Sequence, residues 1–325
     1  MLIVSTRTIC QISCLLVFTL ASGCATQSKS FAPERASSGR LIVAGKSMPV
    51  PFAVKTWKDE GGYDAHLETC FFGEETLPKD PASGCDTPRR YRQRPTKGLS
   101  PAARQTVTEE GWALPSLRHV VDQFVIHYDV CGTSRRCFEV LHDLRGLSVH
   151  FLLDVDGTLY QTLDLAHRAR HAGSANDRSV GIEIAHFGAY PPGSQAISKY
   201  WQIDNDGIQI KLPKEFLPPA GGPFRPANPE LIPGRINGVD LVQPDFTEAQ
   251  YESLSRLTDA LTEIFPKLER QVPRLTDGTV NPNVLSPEEL SLWVPKTGKT
   301  ASATSYDHQI LTIQPCRTCV NCRFL

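Results

Sequence analysis

The sequence predicts a mixed α/β domain, a central β-sheet flanked by helices. Three observations predict it. Phe124-Val125-Ile126-His127 and Val180-Gly181-Ile182-Glu183-Ile184 are short apolar runs of strand length. Residues 149–153 and 158–161 flank Asp154-Val155-Asp156-Gly157, a hairpin signal because Asp-Gly supplies the positive φ that a tight turn needs. Residues 247–265 carry Tyr251, Leu254, Leu257, Leu261 and Ile264 at helical spacing, with Thr247 and Gln250 as a capping box and Pro266 as a stop.

From the N-terminus, Arg7 precedes an apolar run over residues 9–21, too short to span a bilayer comfortably and followed by Ser22-Gly23-Cys24-Ala25. This predicts a bacterial export signal over residues 1–24. Ser-Gly-Cys resembles a lipobox in which Cys24 becomes the lipidated first residue, with Leu20 one place further upstream than is usual. The expectation is a protein anchored by lipid in the cell envelope, at the outer membrane; ordinary cleavage near Gly23 would instead leave it periplasmic or extracellular. Membrane contact is expected through the anchor only.

Residues 25–48, rich in Ser, Ala and Gly, read as a flexible tether, and residues 49–114 as an N-terminal extension. Within the extension, residues 52–57 form a candidate strand and residues 88–94 a basic, solvated loop able to touch an anionic wall polymer. Export permits disulfides, with Cys70/Cys85 and Cys131/Cys137 as the near pairs. The main domain is expected over residues 115–293. In it Ser134 caps a short helix bearing Phe138, Leu141 and Leu144, which Gly146 ends. A Pro/Gly-rich loop over residues 191–246 carries its own hairpin around Asn205-Asp206-Gly207.

With a two-residue period, Val180, Ile182 and Ile184 share one face, leaving Glu183 opposite, beside the small residues Gly181 and Ala185. His127 closes the first strand as a candidate metal ligand. Across the 325 residues the net charge is −1, which offers a phosphate backbone no general attraction, so no nucleic-acid partner is expected.

Four words in order resemble the zinc-dependent N-acetylmuramoyl-L-alanine amidases of the type 2 family, relatives of the peptidoglycan recognition proteins. They are Val125-Ile126-His127; His150-Phe151-Leu152-Leu153-Asp154 with Asp156-Gly157-Thr158-Leu159-Tyr160-Gln161; Arg168-Ala169-Arg170-His171-Ala172-Gly173; and Asn176-Asp177-Arg178-Ser179-Val180-Gly181-Ile182-Glu183. The resemblance implies a peptidoglycan amidase or recognition-protein fold, zinc (Zn2+) as cofactor, and peptidoglycan muropeptides as partner. It implies cleavage of the amide between N-acetylmuramic acid and L-alanine. His127 would bind the metal, which lowers the pKa of a bound water to roughly 7; Glu183 would move the proton to the leaving amine. His171 matches a family position near the substrate, with Arg170 where the family has tryptophan. Asn176 and Tyr128 are further substrate-side candidates, although Asn176 also suits a turn and Tyr128 also suits packing. His150 reads as a satisfied core histidine.

The family's second histidine and final aspartate or cysteine, in Gly-His and Asp-Pro-Gly words after the long helix, are absent. Residues 286–290 start another capped helix and Trp293 still fits, but residues 294–325 form an atypical tail holding Asp307, His308 and three cysteines. Either the tail returns Asp307 or His308 to the metal, or a reading-frame change near residue 294 replaced the original end; the abrupt break favours the second. Two other functions follow: a catalytically impaired peptidoglycan-binding lipoprotein, or a haloacid dehalogenase-like phosphatase using Asp154 and Asp156 with magnesium. The second lacks the downstream lysine and acidic words that its chemistry needs.

Overall fold

The computed structural model describes residues 38–73, 90–236, 239–269 and 314–315. Strands β1 (Gly39–Val43) and β2 (Lys46–Val50) form an antiparallel hairpin. Of the tether expected over residues 25–48, residues 39–48 are instead part of the fold, because Leu41 and Val43 are buried in the main core, and residues 25–37 lie outside the described residues. Asp164 fixes the hairpin turn by accepting from the N–H groups of Ala44 and Gly45, both at 2.7 Å. Gln161 clasps Ile42 through its N–H and its carbonyl, each at 2.8 Å. Strand β3 (Lys55–Thr56) then joins the edge of the main sheet, so this part of the N-terminal extension is integral to the domain.

The basic run is also corrected. Arg92 is exposed on β4 (Arg92–Gln93), but Arg90 and Arg94 are buried. Arg90 donates to the carbonyls of Leu67 and His142, and Arg94 to those of Leu165 and Ser179. Buried carbonyls need donors, which is why two guanidiniums of an apparently solvated loop lie inside.

Helices α1 (Pro101–Glu110) and α2 (Leu114–Val120) lead to β5 (Gln123–Tyr128). Next comes α3 (Ser134–Phe138), capped by Thr133 rather than Ser134, and it widens into a π-helical turn over Glu139–Leu144. The hairpin β6 (Phe151–Leu153) and β7 (Leu159–Gln161) is antiparallel as expected. Gly157, at φ 82°, takes the turn position a side chain would strain, and a Cβ there would lie 2.8 Å from Ala249. Asp156 accepts from Thr158 N–H and Asp154 from Val155 N–H, so both aspartates serve the turn.

β8 (His167–Arg168) and β9 (Ser179–Ile184) follow. The elaborated loop carries α4 (Gln195–Tyr200), the expected hairpin β10 (Trp201–Asp204) with β11 (Gly207–Ile210), and a second hairpin, β12 (Ile232–Ile236) with β13 (Val239–Gln243). Helix α5 (Glu248–Ile264) begins at the Thr247–Gln250 capping box as expected.

The main sheet has six strands in the order β14-β5-β9-β6-β7-β3, β14 being Gln314–Pro315. β6 and β7 run antiparallel and the other neighbours parallel, which makes it the expected mixed sheet. One face buries Ile126, Phe151, Leu153 and Ile182 against Leu257 and Leu261 of α5. The other buries Leu152 and Tyr160 against Phe138 and Leu141. Helices thus flank the sheet on both sides.

Cys70 is disulfide-bonded, and Cys85 lies outside the described residues. The expected Cys131–Cys137 bridge is not formed; Cys137 is instead buried in the aromatic cluster around Phe138, with Cys131 packed at its margin. Cys24, Asp307, His308, the helix expected from Ser286 and the cysteines of the tail also lie outside the described residues.

Candidate functional site

Alternation along β5 and β9 builds the site. Phe124, Ile126, Val180, Ile182 and Ile184 fill the core under α5, which turns Val125, His127, Ser179, Gly181 and Glu183 to the other face. β5 and β9 are parallel and pair His127 directly with Glu183, so the two side chains stand side by side on that face. Glu183 is 2% exposed, and His127 is half-buried at the end of its strand. A carboxylate in so dry a place beside an imidazole is a chemical arrangement rather than a solubilising one.

His171 completes the group from the loop between β8 and β9. Its Nδ1 lies 3.3 Å from His127 Nε2, the two rings meeting edge to face with centroids 5.5 Å apart. The ring lies flat over Gly181, where a Cβ would come within 2.2 Å of it; glycine is required for close approach, not for a turn. Ser179 Oγ lies 3.4 Å from His171 Nε2.

Asn176 takes the turn role that the sequence left open to it. It is buried, and its side-chain oxygen accepts from the N–H groups of His171 and Ala172 at 3.1 and 2.7 Å, so it positions the loop that presents His171. Tyr128 is also corrected. It follows His127 by one residue and therefore points to the opposite face, 1% exposed, with its ring against His186.

His150 is the core histidine expected. Its Nδ1 accepts from Gly181 N–H at 3.1 Å, and its Nε2 lies 3.0 Å from the carbonyl of His167. Complete burial, reinforced by the Arg94 charge, pushes its pKa down to about 3, so it is neutral. Sequence reasoning missed Arg94, whose guanidinium holds the carbonyls of Leu165 and Ser179 and so fixes both ends of the segment bearing His171. Burial drops its pKa to about 9. A lone arginine in a basic run gives no sequence signal for this, since its partners are main-chain carbonyls about seventy residues or more away.

Among the described residues, no group of three or more His, Cys, Asp or Glu side chains is placed to hold a metal ion. The donors present nonetheless suit zinc: neutral imidazole is a standard ligand, and a carboxylate beside it is a standard proton acceptor.

Residues 117–276 match the family model described as N-acetylmuramoyl-L-alanine amidase. A peptidoglycan-recognition protein of Drosophila simulans and its namesake in Drosophila melanogaster are each 28% identical over 142 residues, 38% of this chain and 76% of theirs. Among solved structures, the chain is similar to the N-acetylmuramyl-L-alanine amidase AmiD from E. coli, at 18% identity and a TM-score of 0.28 over 46% of this chain and 45% of that one. Drosophila peptidoglycan recognition protein SA gives 16% and 0.23, over 46% and 62% of the two chains. AmpD gives 16% and 0.23, over 57% and 87%. The chain thus spans less than two thirds of AmiD and of recognition protein SA. Residues 117–276 thus carry the match to the type 2 N-acetylmuramoyl-L-alanine amidase family, and the chain is similar as well to peptidoglycan-recognition proteins.

Proposed function

We propose that this domain is a zinc-dependent amidase that cuts the bond between N-acetylmuramic acid and L-alanine in peptidoglycan. The observation that carries the reading is the direct pairing of His127 with Glu183 on parallel strands, with the half-buried imidazole beside the buried carboxylate. His127 would hold the metal. Zinc, when bound, supplies Lewis-acid activation of water and of the amide carbonyl. Glu183 takes up the proton of the attacking water and delivers it to the departing nitrogen of L-alanine, without which the amine is a poor leaving group. Its burial keeps competing water from the proton and strengthens its interaction with the reacting centre.

A second reading is a binding protein that retains the cleft without hydrolysis. It is favoured by the finding that, among the described residues, no three His, Cys, Asp or Glu side chains are grouped so as to hold a metal ion. Zinc content measured together with release of stem peptide from purified muropeptides separates the two. Stoichiometric zinc with release supports the amidase; muropeptide binding without release supports the binding protein.

Export and lipid anchoring through Cys24 are part of the same proposal, since the substrate lies outside the cytoplasmic membrane. A Cys24→Ser form is expected in the soluble fraction, and undiminished membrane association would overturn the anchor.

A further inference from the structure

We infer that Arg135 recognises a carboxylate carried by the peptide on the far side of the cut amide. The inference rests on the proposed amidase reading and deepens it, because it names what that peptide must carry.

The first ground is how the side chain is held. Arg135 and Arg136 are neighbours in the first turn of α3. Arg136 is engaged by Glu139 at 2.7 Å. Arg135 is exposed, and its guanidinium has no hydrogen-bond or ion-pair partner among the described residues. Its Cζ lies instead over the ring of Phe72 at 5.2 Å and over that of Phe216 at 5.9 Å. Phe72 comes from the N-terminal extension and Phe216 from the elaborated loop, so three separate segments fix the group. Aromatic rings hold a guanidinium through its charge and offer its N–H groups no lone pair, so all of its donors remain open. A fork of donors held in advance matches a carboxylate, which accepts two of them in parallel, and little side-chain freedom is lost on binding.

Position is the second ground. Helix α3 lies on the site face, where Phe138 packs with Leu152 and Tyr160. Leu152 pairs with Glu183 on one side and Tyr160 on the other. The three form one row, with Tyr160 about 10 Å from Glu183 at the usual strand spacing. Tyr63 stands beside Tyr160, its ring 4.7 Å from that ring and 5.1 Å from Phe138. Burial raises the Tyr63 pKa and the Arg135 charge opposes the rise, so the guanidinium lies near this stack. Ser134 N–H donates to the Asp154 carboxylate, which sets the start of α3 at the end of β6 that runs beside the Glu183 end of β9. An extended peptide spans about 3.3 to 3.6 Å per residue, so a chain leaving a bond held at Glu183 comes level with Arg135 at its second or third residue.

The test is ligand binding by the full chain carrying Glu183→Gln, so that the probe is not consumed. The probes are a synthetic N-acetylmuramoyl tripeptide beginning with L-alanine, with free carboxylates on its second and third residues, and two counterparts in which one or the other carboxylate is a primary amide. In isothermal titration calorimetry one of the two amides is expected to bind about 10-fold or more weakly than the acid, the usual size for hydrogen bonds to a charged group. With Arg135→Ala added, the acid should weaken to match that amide, so that their ratio falls to about one. Arg135→Lys keeps a charge without the fork, guards against loss of fold, and should also lose most of the selectivity. A merely structural Arg135 would change stability and leave the ratio alone.

An unchanged ratio in both variants overturns the inference and leaves the amidase reading in place. So does a ratio abolished instead by Lys55→Ala, whose Nζ lies 5.6 Å from the centre of the Tyr160 ring and is the rival cation in the row. Failure of all the probes to bind would overturn both. Selectivity that depends on Arg135, with no release of peptide from the acid by the unsubstituted chain, would overturn the amidase reading alone.

Discussion

The two faces of the central sheet are built from the same strands and do opposite work. Under α5, every second residue of β5 and β9 is a bulky apolar side chain packed against Leu257 and Leu261. On the other face, the intervening residues are Gln123, Val125, His127, Ser179, Gly181 and Glu183, all but Val125 small or polar, with the His171 ring over Gly181. The comparison shows how the fold can afford a buried carboxylate. The face under α5 supplies the larger apolar core, and on the other face apolar packing is concentrated around β6, β7 and α3, so β5 and β9 can hold there groups whose burial costs free energy.

The histidines make the same point. His186 lies on the apolar side among Tyr128, Trp201 and Phe246. Its Nε2 lies 3.0 Å from the Pro244 carbonyl and its Nδ1 accepts from Gly188 N–H at 2.9 Å, so both nitrogens are committed to main chain. His127 and His171 instead turn nitrogens toward each other. Residue type is equal in the three; what the nitrogens face decides whether an imidazole is structural or chemical.

The largest expected effect breaks the comparison on the site face. Glu183→Gln keeps shape and burial but removes the proton acceptor, so muropeptide hydrolysis should fall by roughly 10²- to 10⁴-fold, with thermal stability and zinc affinity close to the parent. Hydrolysis at parental rate would assign the proton transfer to another group.

Next is the apolar face. Leu261 is fully buried, and Leu261→Ala deletes a side chain from a packed core, at a cost of about 2 to 5 kcal/mol in urea unfolding. Zinc affinity per folded molecule should be unchanged. A large fall in affinity with little loss of stability would show that the two faces are coupled rather than separate.

Much of this division was legible in the sequence because strand alternation is a local pattern. Val180, Ile182 and Ile184 announced one face and left Glu183 on the other; the capping box and stripe of α5 were equally local. Tyr128 and Asn176 each left two readings open: Tyr128 packs, as the alternation that places it opposite His127 requires, and Asn176 serves the turn, an Asx side chain suiting turns and substrates alike. The contact of His171 with His127 spans 44 residues, and no local pattern encodes such a meeting. Arg94 and the β1–β2 hairpin were missed for the same reason: their partners, Ser179 and Gln161, are 85 and 119 residues away.

The pH prediction concerns His186. Burial is the leading cause that pushes its pKa down to about 4 from the usual 6.5, so between those values the unfolded chain binds a proton that the folded chain refuses. Its contribution to stability is therefore lost as pH falls from about 6.5 toward about 4, and it has the opposite sign to a histidine held by a carboxylate. Between pH 7 and pH 4.5, His186→Gln should lose less stability than the parent does, by about 2 kcal/mol. Equal losses in urea titrations at the two pH values would exclude His186 from the acid response.

The smallest expected effect is at the Thr247 cap, which links α5 to the β6–β7 turn and to the end of β9. Thr247 Oγ1 accepts from Gln250 N–H and donates to the Val155 carbonyl at 2.8 Å, within the β6–β7 turn. The Gln250 amide donates to the Ala185 carbonyl at 2.8 Å, just past Glu183 and Ile184. Thr247→Ala removes the cap and leaves the buried Val155 carbonyl without that donor, so a loss of about 1 to 2 kcal/mol is expected, and Thr247→Ser should recover most of it. If Thr247→Ala also slowed hydrolysis while Thr247→Ser did not, the helix end would be shown to set the position of Glu183. The apolar face would then be part of the chemistry as well as its support.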